Sequence, residues 1–303
     1  MAPETRRKFL TRAGLVACGF AGGVRATKAA GCRPPEVVTA RGCRFLCEQQ
    51  SADGAWRSQQ YGAFRQGDAL TPLVVCALQE IRQPNPVTQN AVASGVAWLR
   101  AFAKRRANNG EPWRNLAYPL FSAAFATQVF ASVEDDVTME FWLKIVKALR
   151  SRPNLGWPQS SPANGAWGDA VEPPQALAGG GTAQTPDMIA PNISATLLAL
   201  DALTAAGEGN TAPQALPFIK RCQNFPETSA SLFDDGGFFY AINDAVRNKA
   251  GIAGSDDSGR ERYRSYGSAT CDGILALRAA GSASDDPRCV AALRWLTRET
   301  HDA

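Results

Sequence analysis

The chain has 303 residues, an ordinary share of apolar side chains and a formal net charge of +4. The length allows a substantial core, and no run of about eighteen apolar residues occurs, which excludes a membrane-spanning helix. The positive charge is not a nucleic-acid signal: residues 1–30 carry Arg6, Arg7, Lys8, Arg12, Arg25 and Lys28 against Glu4, the remainder has a net charge of −1, and no basic cluster with interleaved aromatics follows.

In chain order, residues 1–30 stand apart. Arg6-Arg7 is followed by Phe9-Leu10 and a short, weakly apolar run rich in Gly and Ala. This resembles a twin-arginine export signal, which implies a protein carried folded to the bacterial periplasm. Two processing routes are open. Cleavage near Ala29-Ala30 would release a soluble protein; lipid attachment at Cys18 would anchor it, because Leu15-Val16-Ala17-Cys18 resembles a lipobox. Residues 31–35 read as a linker and 36–303 as one repeat domain.

The spacing of apolar residues predicts an amphipathic helix over 37–50, a turn at Ala52-Asp53-Gly54, and a helix over 69–81 that is apolar nearly all round. A helix of the second kind is buried on most of its surface. The pair recurs. Helices over 94–103 and 118–130 flank a loop with Trp113, and helices over 140–149 and 192–203 flank Gly165-Ala166-Trp167-Gly168. Helices over 216–223 and 266–277 flank Asp235-Gly236-Gly237-Phe238, and a last helix opens over 291–296. Trp56, Trp113, Trp167 and Phe238 hold one place after the loop; Gln50 and Gln223 hold one place before it. The period is about fifty residues, within the range of repeat architectures. The stretches 152–191 and 240–265 read as long loops, and no strand pattern persists.

The stretch 41–56, RGCRFLCEQQSADGAW, sets Arg41-Gly42, Phe45-Leu46, Gln50 and Gly54-Ala55-Trp56 in an order that resembles the QW repeat of the prenyltransferase and squalene-cyclase superfamily. The resemblance covers about residues 36–303. It implies an all-α fold, an α/α toroid of helical hairpins with amphipathic helices outside and apolar ones lining a central barrel. Four complete hairpins and a fifth opening helix are present, where a closed toroid takes about six. The expectation is therefore a ring incomplete at its C-terminal end, either truncated or closed by a second subunit.

The resemblance offers three chemistries, and the residues each needs are absent or displaced. A terpene cyclase uses a protonated acid in an Asp-x-Asp-Asp motif. Here Glu134-Asp135-Asp136, Asp234-Asp235 and Asp256-Asp257 read as a helix cap, a repeat turn and a polar loop. A prenyltransferase holds zinc by Asp, Cys and His. The one histidine is His301, Cys271-Asp272 lacks a third ligand, and both Cys271 and Cys76 read as buried helix thiols. A thioester centre would need Cys47-Glu48-Gln49-Gln50 to carry a glycine, which it does not. A single histidine also argues against Ser-His or Cys-His catalysis. The eight cysteines, with Cys43 and Cys47 on one helix face, match no zinc signature; free thiols are expected, with one or two bridges left open.

What remains is a cavity. The inner helices open on polar residues: Thr71, Tyr118, Asn192 with Ser194, and Tyr266 with Ser268, Thr270 and Asp272. Thr71 and Asn192 read as caps. Tyr118, Tyr266, Ser268, Thr270 and Asp272 are the candidate ligand-binding residues. Asp272, costly to bury unpaired, is the one catalytic candidate. Gln50, Gly54, Trp56, Trp113, Trp167 and Gln223 read as structural repeat residues. The leading expectation is an exported toroid protein that binds an apolar isoprenoid-like ligand or a protein partner, with no cofactor or metal. The alternatives are a terpene-cyclase- or prenyltransferase-like enzyme and a truncated, inactive relic.

Overall fold

A computed structural model describes residues 35–299 except 83, 109–111, 114–115, 117, 152–157, 170–189, 227–230 and 257–258. The lead with Arg6, Arg7 and Cys18, and also Asp257 and His301, lie outside the described residues. Nine α-helices are present among the described residues: α1 (Pro35–Glu48), α2 (Leu70–Gln79), α3 (Pro86–Arg106), α4 (Pro119–Ser132), α5 (Asp136–Ala148), α6 (Ile193–Ala205), α7 (Leu216–Arg221), α8 (Gly267–Ala279) and α9 (Pro287–Glu299). A 3-10 segment, Gly209–Ala215, leads into α7. No helix is long and apolar enough to cross a membrane among the described residues.

The helices pack in two series. The apolar ones follow one another in space as they do in sequence, α2 on α4, α4 on α6 and α6 on α8. The amphipathic ones lie outside them, α1 on α3 and α3 on α5, with Gly209–Ala215 against α6 and with α7 and α9 against α8. Small residues let the inner helices approach closely: Ala123, Ala124 and Ala126 of α4 and Ala195, Ala199 and Ala202 of α6 are fully buried. Large side chains, among them Phe130, Trp142, Trp167 and Phe218, fill the space between the two series.

Four of the amphipathic helices, α1, α3, α5 and α9, start earlier than apolar spacing alone places them. α3 begins at Pro86, eight residues before the predicted start at Ser94, because the Asn85 side chain caps it by accepting from the Thr88 amide at 2.9 Å and Pro86 opens the first turn. α5 begins at Asp136 because Asp135 accepts from the Thr138 amide at 3.1 Å. Asn192 caps α6 through the Ala195 amide at 2.8 Å. Thr71 does not cap α2; its hydroxyl accepts from the Trp56 amide instead.

Two expectations are corrected. The stretch read as strandless holds an antiparallel hairpin, β1 (Ile252–Ser255) and β2 (Glu261–Tyr263). Its strands are short, and a bulge near Gly254 breaks the alternation that would have marked them. Cys271, read as a buried thiol, is exposed, on the same side of α8 as exposed Ser268 and Arg278.

Candidate functional site

The residues that define the repeat lock one hairpin to the next. Gln50 pairs by a backbone bridge with Trp56, and its amide donates to the Gly54 and Ala91 carbonyls, both at 2.9 Å. Gln223 bridges Phe238 and donates to the Gly236 and Arg288 carbonyls, again at 2.9 Å. In the copy before Trp167 no glutamine stands at this place. Arg150 takes the place: it bridges Trp167 and donates to the Gly165 and Thr211 carbonyls at 3.1 and 3.0 Å. The amides of Trp56, Trp167 and Phe238 donate to the hydroxyls of Thr71, Thr196 and Thr270 at 3.0, 3.2 and 3.0 Å. Thr270 also donates to the Tyr266 carbonyl at 2.9 Å, so both its bonds hold the backbone. The indoles of Trp56 and Trp167 reach back to the Leu46 and Val146 carbonyls at 2.7 and 2.8 Å.

The loops before Trp56, Trp167 and Phe238 turn on Gly54, Gly165 and Gly236, each with positive φ. A Cβ on Gly165 (φ +85) would stand 2.2 Å from the Gln214 carbonyl oxygen, and one on Gly54 (φ +93) 2.6 Å from that of Ser94, so the loop backbone lies directly against the next outer element. Asp53 and Asp235 complete the contact by accepting from the indoles of Trp98 and Trp295, both at 3.1 Å.

The second copy lacks this lock among the described residues. Ser122 holds the position of Thr71, Thr196 and Thr270, since its amide donates to the Tyr118 carbonyl as theirs do one turn back. Its buried hydroxyl has no partner, nor does the buried Trp142 indole. Trp113 is half-buried and lines an outer groove of about 720 Å³ with Ala107, Pro112, Val137 and Phe141. Sequence spacing makes Trp113 an equal of Trp56 and Trp167; the structure puts it against α5.

The inner helices keep one less-buried stripe each: Phe121, Phe125 and Gln128 on α4, Ser194, Leu198 and Asp201 on α6, Asp272 and Leu275 on α8, and Leu73 and Cys76 on α2. Those of α6 and α8 meet. Ser194 donates to Asp272 across α6 and α8 in a short hydrogen bond of 2.5 Å. Burial, and then the charge of Asp272, push Asp201 up to about 7. Burial raises Asp272 too, against the pull of Ser194. Burial, then the charge of Glu80 and last that of Asp201, push the Cys76 thiol up to about 12. The structure thus joins Asp272, singled out from the sequence, to an acid the sequence reading passed over. The seven-residue spacing of Ser194 and Asp201 within an apolar helix was the available signal.

Of the other candidates, Tyr266 is half-buried at the start of α8, with its hydroxyl pushed up to about 12 by burial and by Tyr240 and Asp272. Ser268 is exposed. Tyr118 stacks on Phe64 with ring centres 5.4 Å apart, at the same end of α4. Nearby, Arg247 pairs with Asp169 at 3.2 Å, lies 4.9 Å over the Tyr240 ring and donates to the Ala190 carbonyl at 2.9 Å. This group secures the approach to α6, where Asn192 also donates to Asp169. Among the described residues no three His, Cys, Asp or Glu side chains converge as metal ligands do.

No protein-family model, no curated protein and no solved structure matches this chain.

Proposed function

We propose that the four inner helices form an open arc of an α/α toroid, and that its inner face binds an apolar, isoprenoid-like ligand carrying an oxygen head group. The Asp201–Asp272 pair carries this reading. Burial, with the charge of Asp272 added to it, keeps a proton on Asp201 near neutral pH. A protonated carboxyl among apolar groups is a strong hydrogen-bond donor to a hydroxyl or carbonyl oxygen. Phe121, Phe125, Leu198 and Leu275 supply the apolar surface for a hydrocarbon chain.

The same pair would serve as the acid of an isoprenoid-processing enzyme, the second reading. Its raised pKa makes it a weak acid, and protonating a carbon–carbon double bond calls for a strong one, so binding fits better. Farnesol and squalene separate the readings. Farnesol should quench tryptophan fluorescence on binding, and Asp201→Ala should weaken it about tenfold while leaving squalene, which has no oxygen, unaffected. Phe121→Arg should abolish both. Farnesol binding that survives Phe121→Arg rejects the inner face as the site, and a new product mass lost in Asp272→Asn replaces the binder with the enzyme.

Periplasmic export through Arg6-Arg7, with or without lipid at Cys18, belongs to this reading and rests on the sequence pattern. A reporter fused to the lead should remain in the cytoplasm once Arg6→Lys and Arg7→Lys are introduced. Unimpaired export of that fusion would exclude the twin-arginine route.

A further inference from the structure

We infer that the outward face of α1 docks on an acidic phospholipid surface. Unlike the other outer helices, α1 buries none of its described residues, and it packs on α3 with a half-buried inward side of Cys43, Leu46 and Cys47. Its outward side is not polar. Val37, Val38 and Phe45 are 44, 56 and 59% exposed. Val38 and Phe45 are seven residues apart, two helical turns, with exposed Arg41 between them and exposed Arg44 on the same side, two turns after Val37. Glu48 is the one described carboxylate of that face. Apolar side chains interleaved with guanidiniums suit the boundary between headgroups and acyl chains: the apolar groups insert and the arginines meet phosphates.

A second copy of this chain fits the face poorly in either geometry. Pairing about a two-fold axis would set Arg41 and Arg44 against their own counterparts. Head-to-tail stacking would repeat the internal joint, in which an outer helix offers an aromatic knob to the preceding loop, as Trp98 does to Asp53. Counting from the carbonyls that receive Trp56 and Trp167, Trp142 lies four residues before Val146, and the residue four before Leu46 is Gly42, beside open space. α1 has no such knob.

The test is flotation of the full chain with vesicles of phosphatidylcholine alone and of phosphatidylcholine with phosphatidylglycerol. Binding should require phosphatidylglycerol and fall with added salt. Val38→Ser with Phe45→Ser, and separately Arg41→Glu with Arg44→Glu, should each lower partitioning about tenfold or more. All four positions are exposed, so thermal melting should be unchanged, which separates lost docking from lost folding. A variant with Arg6, Arg7 and Lys8 changed to Gln controls for the lead. If that variant alone loses binding while both α1 variants bind like the parent, the inference is overturned. A doubled mass in solution that Val38→Ser with Phe45→Ser reverses, without vesicle binding, would likewise overturn it in favour of a second copy.

Discussion

Trp167→Ala should cost about 3–5 kcal/mol of folding stability, whereas Trp113→Ala should cost about 1 kcal/mol or less. The sequence pattern treats these two residues as the same. Trp167 is fully buried between α5 and α6, its indole donates to Val146 at 2.8 Å, its amide donates to Thr196 at 3.2 Å, and the Arg150 guanidinium lies 4.7 Å above its ring. Truncation leaves a cavity the size of an indole, strips the Val146 carbonyl of a buried donor and removes the surface that orders Arg150. In a repeat protein such a loss also uncouples the units on either side, so the unfolding transition should broaden as its midpoint falls. Trp113 has none of these partners among the described residues and is only partly buried. Chemical denaturation of the two variants side by side reads the difference. Equal losses would mean that the second loop is locked like the others, and that Ser122 and Trp142 find partners in solution.

The reasons the sequence revealed some of this and hid the rest are physical. The inner helices were legible because a helix apolar on every side can only be buried, and α2, α4, α6 and α8 all fall within two residues of their predicted starts and ends. Gln50 and Trp56 were legible because the two bridged residues and Gly54 lie within one short stretch, although their partners Thr71 and Ala91 lie further along the chain. Arg150 was not: seventeen residues separate it from Trp167, and its role needs only donors aimed at two carbonyls, which a guanidinium supplies as well as an amide. Asp201 was passed over because its meaning depends on α8, which begins sixty-six residues after it, and only packing brings the two helices together. Thr270 illustrates the converse. A hydroxyl near the start of an inner helix reads equally as a ligand contact or as a backbone clasp, and only its two bonds tell which.

Asp201→Asn should make the protein more stable above neutral pH and flatten its stability between about pH 4 and about pH 7. The sign follows from the direction of the shift. Asp201 ionises near 3.8 in the unfolded chain and near 7 in the folded one, so folding takes up a proton between those values. Stability from this group is therefore greatest below about pH 4, falls as pH rises through about 7, and is level and lowest above it. A shift of this size corresponds to at most about 4 kcal/mol. The raised Asp272 and Asp169 slope the same way. Asp53, held low by Arg57, slopes the other way, but only as pH falls below the usual carboxylate range, outside this window. Asparagine keeps the shape and hydrogen-bonding capacity of a protonated carboxyl without its charge. The variant should thus match the parent near pH 4 and exceed it by a few kcal/mol near pH 8. Asp272→Asn removes the like charge and should bring the midpoint of the slope to lower pH without abolishing it. Melting temperatures of the three proteins across this range decide the matter. A parent that gains stability toward high pH, or an Asn variant that keeps the full slope, would mean that Asp201 is solvated and ionised. The inner face would then carry two negative charges at neutral pH, and it would select a cationic head group over an oxygen one.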